Sequence, residues 1–147
     1  MKNLATLERI LAAKQTLPGA LLPILHEIQD AFGHIPAEAV PLIARTLNLS
    51  RAEVHGVITY YPHFRQTPPG RHVVRVCCAE ACQAVGGEAL AEHARACMEG
   101  GELTLEPVYC LGLCASGPAL QINETTLHAH VTMEKFDALL NALERGK

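Results

Sequence analysis

Two cysteine pairs restrict this chain more than any other feature. Cys77-x4-Cys82 and Cys110-x3-Cys114 each open just after a short β-type run, with 27 residues between Cys82 and Cys110. Four thiolates delivered as two tight pairs are what a four-coordinate soft-metal centre needs, because each pair can clamp one side of it. Zinc, an iron-sulfur cluster and two disulfides compete for that arrangement.

At 147 residues and 49% hydrophobic content, the chain can bury one full core or two small ones, and nothing in it is compositionally disordered. No apolar stretch approaches the roughly 20 residues of a membrane helix. Met1-Lys2-Asn3-Leu4 lacks the apolar region and cleavage site of a signal peptide. The expected address is therefore the cytoplasm, with no membrane insertion. There the glutathione pool keeps thiols reduced, which takes weight from the disulfides.

Charge divides unevenly. Residues 1–72 carry seven Lys/Arg against five Asp/Glu, and residues 73–147 carry five against ten, a net +2 against −5. An acidic half that holds thiolates is a poor nucleic-acid surface, and the first half lacks a concentrated basic patch, so no nucleic-acid partner is expected.

The first half reads as helices. Leu4, Leu7, Ile10 and Leu11 recur at helical spacing, and a second run from Leu21 to Ile28 ends at Phe32-Gly33, where glycine can take a left-handed cap. A third helix is expected to enter at Pro36 and run through Leu47. Ser50-x-x-Glu53 is a capping box that starts a fourth, ending near Tyr60-Tyr61-Pro62. Thr67-Pro68-Pro69-Gly70 is the linker candidate, which divides the chain into a helical bundle, 1–66, and a second domain, 67–147.

The second half alternates in type. Residues 73–76 predict a strand, 81–98 a helix, and 103–108 a second strand that Pro107 pushes toward an edge or a bulge. Residues 119–122 and 126–131 flank Asn123-Glu124 as a hairpin, and a helix through Phe136, Leu139, Leu140 and Leu143 closes the chain. The class is α+β. The order β-α-β-β-β-α, parallel at first and antiparallel at the end, resembles a reduced thioredoxin-like layer.

Cys77 follows the first strand and Cys82 lies at the next helix start, where free backbone N–H groups stabilise anionic sulfur. Gly112 and Gly117 let backbone approach the second pair. The x4 and x3 spacings are wider than the usual two-residue zinc knuckle and suit a 2Fe-2S rhombus, each pair holding one iron. Cys78-x3-Cys82 would mirror Cys110-x3-Cys114, so by spacing Cys77 and Cys78 are equally eligible. Cys97 falls on the stripe Leu90-Ala94-Cys97-Met98 and reads as a small core residue. His93, four residues before it, reads as a partly exposed helix histidine, and His128 and His130 as a surface pair on one strand face. There is no phosphate-cradling glycine loop or serine triad, and so no self-contained catalytic site.

Val76-Cys77-x4-Cys82, Tyr109-Cys110-Leu111-Gly112-x-Cys114-x-x-Gly117-Pro118 and the hairpin after them resemble the thioredoxin-like 2Fe-2S ferredoxin subunit. That subunit belongs to the NADH-oxidising module of respiratory complex I and to related NAD-dependent hydrogenases and formate dehydrogenases. The helical part is similar too, at Phe32-Gly33-His34-Ile35-Pro36, Leu49-Ser50-Arg51-Ala52-Glu53-Val54 and Tyr60-Tyr61-Pro62-x-Phe64. The resemblance implies an N-terminal helical segment before a thioredoxin-like domain. It makes Cys77, Cys82, Cys110 and Cys114 the ligands of one 2Fe-2S cluster per chain and leaves Cys78 outside the set. Ala79-Glu80-Ala81-Cys82-Gln83-x-x-Gly86-Gly87-Glu88-Ala89-Leu90 resembles most the gamma subunit of cytosolic, molybdenum-containing, NAD-dependent formate dehydrogenases.

What the resemblance implies is an accessory electron-transfer subunit, not catalytic alone, that exchanges electrons with the flavin of an NAD(H)-binding partner. It acts as a main-line relay or a side store, and a homodimer stays open for the isolated subunit. The equivalent subunit of complex I or of an NAD-reducing hydrogenase is the alternative. Two readings come from other classes. Ser50-Arg51-Ala52-Glu53-Val54 could begin a recognition helix of a metal-sensing transcription regulator, although Arg51 is nearly alone as a base-reading side chain. A thioredoxin-like thiol oxidoreductase would need the Cys-x-x-Cys motif that this chain lacks.

Overall fold

Apolar periodicity becomes four helices in the first half: α1 (Lys2–Lys14), α2 (Leu21–Phe32), α3 (Ala39–Leu47) and α4 (Arg51–Tyr60). The computed structural model describes residues 2–98 and 102–145, the first two of them by backbone alone. By its contacts the chain forms two units, Met1–Pro68 and Pro69–Lys147.

In the first unit Leu7, Ile10, Ile24, Leu25, Ile28, Ile43, Val54 and Ile58 make one buried cluster. Gly33, at φ +77°, ends α2 in the left-handed conformation and donates its N–H to Gln29 O at 2.6 Å. The expected start of α3 at Pro36 is three residues early. Ile35 donates to Arg65 O, holding the chain extended up to Pro36, and the Ala39 and Val40 amides reach back only three residues, to Pro36 and Ala37. At α4 the capping box is complete: Glu53 N–H donates to Ser50 Oγ at 3.1 Å and Ser50 N–H to a Glu53 carboxylate oxygen at 2.7 Å. Val54 and Ile58 turn inward on α4, while Arg51 and Glu53 are exposed.

The second unit is a four-stranded sheet with the order β2-β1-β3-β4. Its strands are β1 (His72–Cys77), β2 (Leu103–Val108), β3 (Leu120–Ile122) and β4 (Thr126–His128). β1 and β2 run parallel, and the β1–β3 and β3–β4 pairs antiparallel. Pro107 lies on β2, an edge strand, where its missing N–H costs no inner ladder bond. Two helices, α5 (Glu80–Gln83) and α6 (Gly87–Met98), form the crossover, and α7 (Met133–Arg145) closes the chain.

Strand alternation sends Val74, Val76, Leu120 and Ile122 to one face, where they bury Leu90, Ala94 and Met98 of α6 and Phe136 of α7. On the opposite face Glu106, Arg75 and Gln121 stand in register across three strands. Arg75 Nε donates to Glu106 at 3.0 Å and its Nη1 to Gln121 at 3.3 Å.

Two expected elements are shorter than their patterns. The helix expected over 81–98 is broken by a turn at 84–86, in which Gly86 takes φ +100° before α6 begins. The break lets Gly87 lie against Cys82, where a Cβ would come within 2.6 Å of the Cys82 carbonyl oxygen. The hairpin strand expected over 126–131 stops at His128. His130 takes φ +47° and donates its N–H to Ser116 O at 2.7 Å, so His128 and His130 do not share a strand face. Burial, then the charge of Lys135, holds the His128 imidazole below its ordinary pKa.

Candidate metal centre

Parallel pairing brings the C-terminal ends of β1 and β2 side by side, with Cys77 opposite Val108. Cys78 N–H donates to Val108 O at 2.7 Å and Cys77 N–H to Ala119 O at 3.0 Å. The segment after β1 carries Cys82 in α5, and the one after β2 carries Cys110 and Cys114, so both cysteine pairs leave the same end of the sheet. Cys77, Cys82 and Ala119 are buried together, with Ala79, Val108, Leu111 and Leu113 packed around them. Cys110 and Cys114 are exposed.

Backbone shape is spent on this corner. Cys110 has φ +106° and Gly112 φ +77°, and the turn they make lets Gly112 N–H donate to Cys110 Sγ at 3.3 Å. A non-glycine residue in that region is costly and occurs where the surroundings over-determine it. Gly117 closes the other side, where a Cβ would meet Val85 Cγ2 at 3.0 Å and Cys82 Sγ at 3.2 Å.

The thiols differ in acidity. Burial pushes the Cys77 thiol up, but the amides of Ala79, Leu111 and Cys110 and the Cys82 side chain outweigh it, and the net shift is down. Cys82 is pushed up by burial first, then by its hydrogen bond to Cys77 and the charges of Cys77 and Cys114. Cys114 is pushed up by its hydrogen bond to Cys110 and then by the charge there. The neighbouring sulfurs thus raise the pKa of Cys82 and Cys114, a repulsion that a bound cation would relieve.

The donor set fits a two-iron cluster. Cys110 Sγ and Cys114 Sγ are 3.5 Å apart, near the separation of about 3.8 Å for two thiolates bound to one tetrahedral metal at about 2.3 Å. Among the described residues, the three ligand atoms gathered within 4.8 Å of one another belong to His93, Cys97 and Asp137, not to the four cysteines.

Cys78 turns away from this corner. It packs against the core that holds Val76 and Ala91, its Sγ is 3.5 Å from Val76 O, and burial pushes its thiol up. Cys97, expected in the core, is exposed. Gly87, Leu90, Ala91, Ala94 and Met98 mark the buried arc of α6, and at about 100° per residue Cys97 falls on its flank beside His93. Apolar spacing alone placed it within the stripe, and packing against the sheet and α7 set where the arc ends.

The family model for thioredoxin-like 2Fe-2S ferredoxin matches residues 7–144. NADH-quinone oxidoreductase subunit 2 of Thermus thermophilus is 31% identical over 136 residues, which cover 87% of this chain and 75% of that one. A subunit of the NADH-quinone oxidoreductase of Escherichia coli is 34% identical over 133 residues, covering 82% and 77%. Among solved structures, an NAD+-reducing NiFe hydrogenase superposes with a TM-score of 0.67 at 26% identity, covering 90% of this chain and 24% of the hydrogenase chain.

Proposed function

Because the chain belongs to the thioredoxin-like 2Fe-2S ferredoxin family, we propose that Cys77, Cys82, Cys110 and Cys114 hold its one 2Fe-2S cluster, and that it serves as the electron-transfer subunit of an NAD(H)-dependent oxidoreductase. The observation that carries this reading is the meeting of both cysteine pairs at the shared end of β1 and β2. Cys77 and Cys82 would hold one iron, and Cys110 and Cys114 the other.

When bound, the cluster supplies a one-electron couple. The chain's own residues set its terms. Amides of Ala79, Cys110 and Leu111 around Cys77, and of Gly112 at Cys110, stabilise negative charge on sulfur. The net −5 of residues 73–147 opposes that by disfavouring an added electron. Burial of Cys77 and Cys82 excludes water on one side, and exposure of Cys110, Cys114 and Tyr109 leaves the other open to a flavin-containing partner.

For the host we assign a cytoplasmic, molybdenum-containing, NAD-dependent formate dehydrogenase, on the resemblance of residues 79–90 to its gamma subunit. The relatives favour a second reading, the equivalent subunit of an NADH-quinone oxidoreductase. Capture of the tagged chain from its native source, with metal analysis and EPR of the dithionite-reduced protein, tests both levels. Two irons and two sulfides per chain, with molybdenum and formate-dependent NAD+ reduction in the captured complex, are expected. Quinone oxidoreductase subunits in place of molybdenum would assign the second host, and stoichiometric zinc without sulfide at the four cysteines would overturn the cluster.

A further inference from the structure

Cys97 belongs to neither cysteine pair. It lies one turn after His93 on α6, the i,i+4 spacing that makes two side chains neighbours on a helix face. Its Sγ is 3.5 Å from His93 Nε2, and the same nitrogen is 2.6 Å from Asp137 Oδ1 on α7. One ligand atom from each residue lies within 4.8 Å of the other two. Sulfur, nitrogen and oxygen donors from two helices therefore converge on one point.

The spacing suits a tetrahedral ion. With Zn–N near 2.0 Å and Zn–S near 2.3 Å, adjacent nitrogen and sulfur donors stand about 3.5 Å apart, the separation already present between His93 and Cys97. A nitrogen–oxygen edge is about 3.3 Å, so Asp137 must withdraw by about 0.7 Å from its hydrogen bond. Asp137 is half-exposed, and a small χ rotation accomplishes that. The imidazole is already aimed, because its ring packs edge-on against buried Phe136 at 5.8 Å and 76°. A thiolate and a carboxylate also balance the two charges of the ion, and Glu134 stands one turn before Asp137 on the same helix.

We propose that His93, Cys97 and Asp137 form a zinc site that ties α6 to α7, with water in the fourth position. It is separate from the four-cysteine centre and does not depend on it. On binding, the Cys97 S–H bond breaks and its proton goes to solvent; His93, whose Nε2–H donates to Asp137 in the empty site, gives that proton to solvent and takes one at Nδ1, so that the Nε2 lone pair is freed and the His93–Asp137 hydrogen bond gives way to two bonds to the metal. No electron changes hands.

Anaerobic titration of the cluster-loaded full chain with zinc sulfate tests this, read by metal analysis after gel filtration and by X-ray absorption at the zinc edge. One zinc per chain is expected beyond the iron, with one sulfur and three nitrogen or oxygen neighbours and no change in the visible spectrum of the cluster. Cys97→Ser and Asp137→Asn should each weaken binding at least ~10-fold, since even an outer partner of a ligand is worth that much. Retention of no zinc, or equal retention by Cys97→Ser, would overturn the site. So would four-sulfur coordination accompanied by loss of cluster absorbance, which places the zinc at the cysteine pairs. A chain that lacks iron yet takes one zinc with one-sulfur coordination would uphold this site and sink the cluster reading.

Discussion

Adjacent cysteines at the end of β1 have opposite fates. Strand alternation sends successive side chains to opposite faces, so Cys77 joins Cys82 and Ala119 while Cys78 joins Val76 and Ala91. Spacing alone made the two equally eligible, because counting residues to Cys82 carries no information about which face each one takes. From this geometry Cys78→Ser should retain iron, sulfide and the visible spectrum, and Cys77→Ser should lose all three. The reverse result would move the first ligand by one position. Cys97 carries the complementary lesson. A small apolar residue at helical spacing is legible as core only if the width of the buried arc is known, and packing against the sheet and α7 sets that width.

Local chemistry accounts for element boundaries wherever the deciding bond is local. The capping box at Ser50 and the glycine cap at Gly33 both stand where their side-chain and backbone rules put them. Boundaries set by distant partners were not legible in the same way. α3 waits until Ala39 because Ile35 is bonded to Arg65, and β4 ends at His128 because His130 is bonded to Ser116. Asn123 serves the hairpin in a similar manner, accepting the Val73 N–H on Oδ1 at 3.1 Å while its own N–H donates to Val73 O at 2.9 Å. Gln29 has such a role in the first unit. Buried at 4% exposure within the apolar stripe of α2, it donates Nε2 to His63 O at 2.6 Å and accepts the Arg65 N–H on Oε1 at 2.7 Å. Gln29→Leu would remove both of these bonds to the 63–65 segment, and should cost about 2 kcal/mol by denaturant unfolding of the full chain, from the loss of two hydrogen bonds to a buried amide. A loss below ~1 kcal/mol would show that water replaces the amide.

At the scale of the whole molecule, the two units divide the labour. All four cysteines of the proposed centre and every backbone contact described around them lie in Pro69–Lys147. We propose that a fragment of residues 69–147 folds alone and takes up the same cluster, with the EPR signal of the full chain; a fragment without iron, beside a full chain that holds it, would reject that division. By itself the sequence determined the α+β class, the helical first half, the order of strands and helices along the second half and the family, because periodicity, caps and motif spacing are properties of neighbouring residues. Only the tertiary structure decided that the parallel pairing of β1 with β2 carries both cysteine pairs to one corner, that Cys78 is turned out of it, and that His93, beside Cys97, meets Asp137 across two helices. Those outcomes depend on register and on helix packing, which join residues tens of positions apart through contacts that no local pattern encodes.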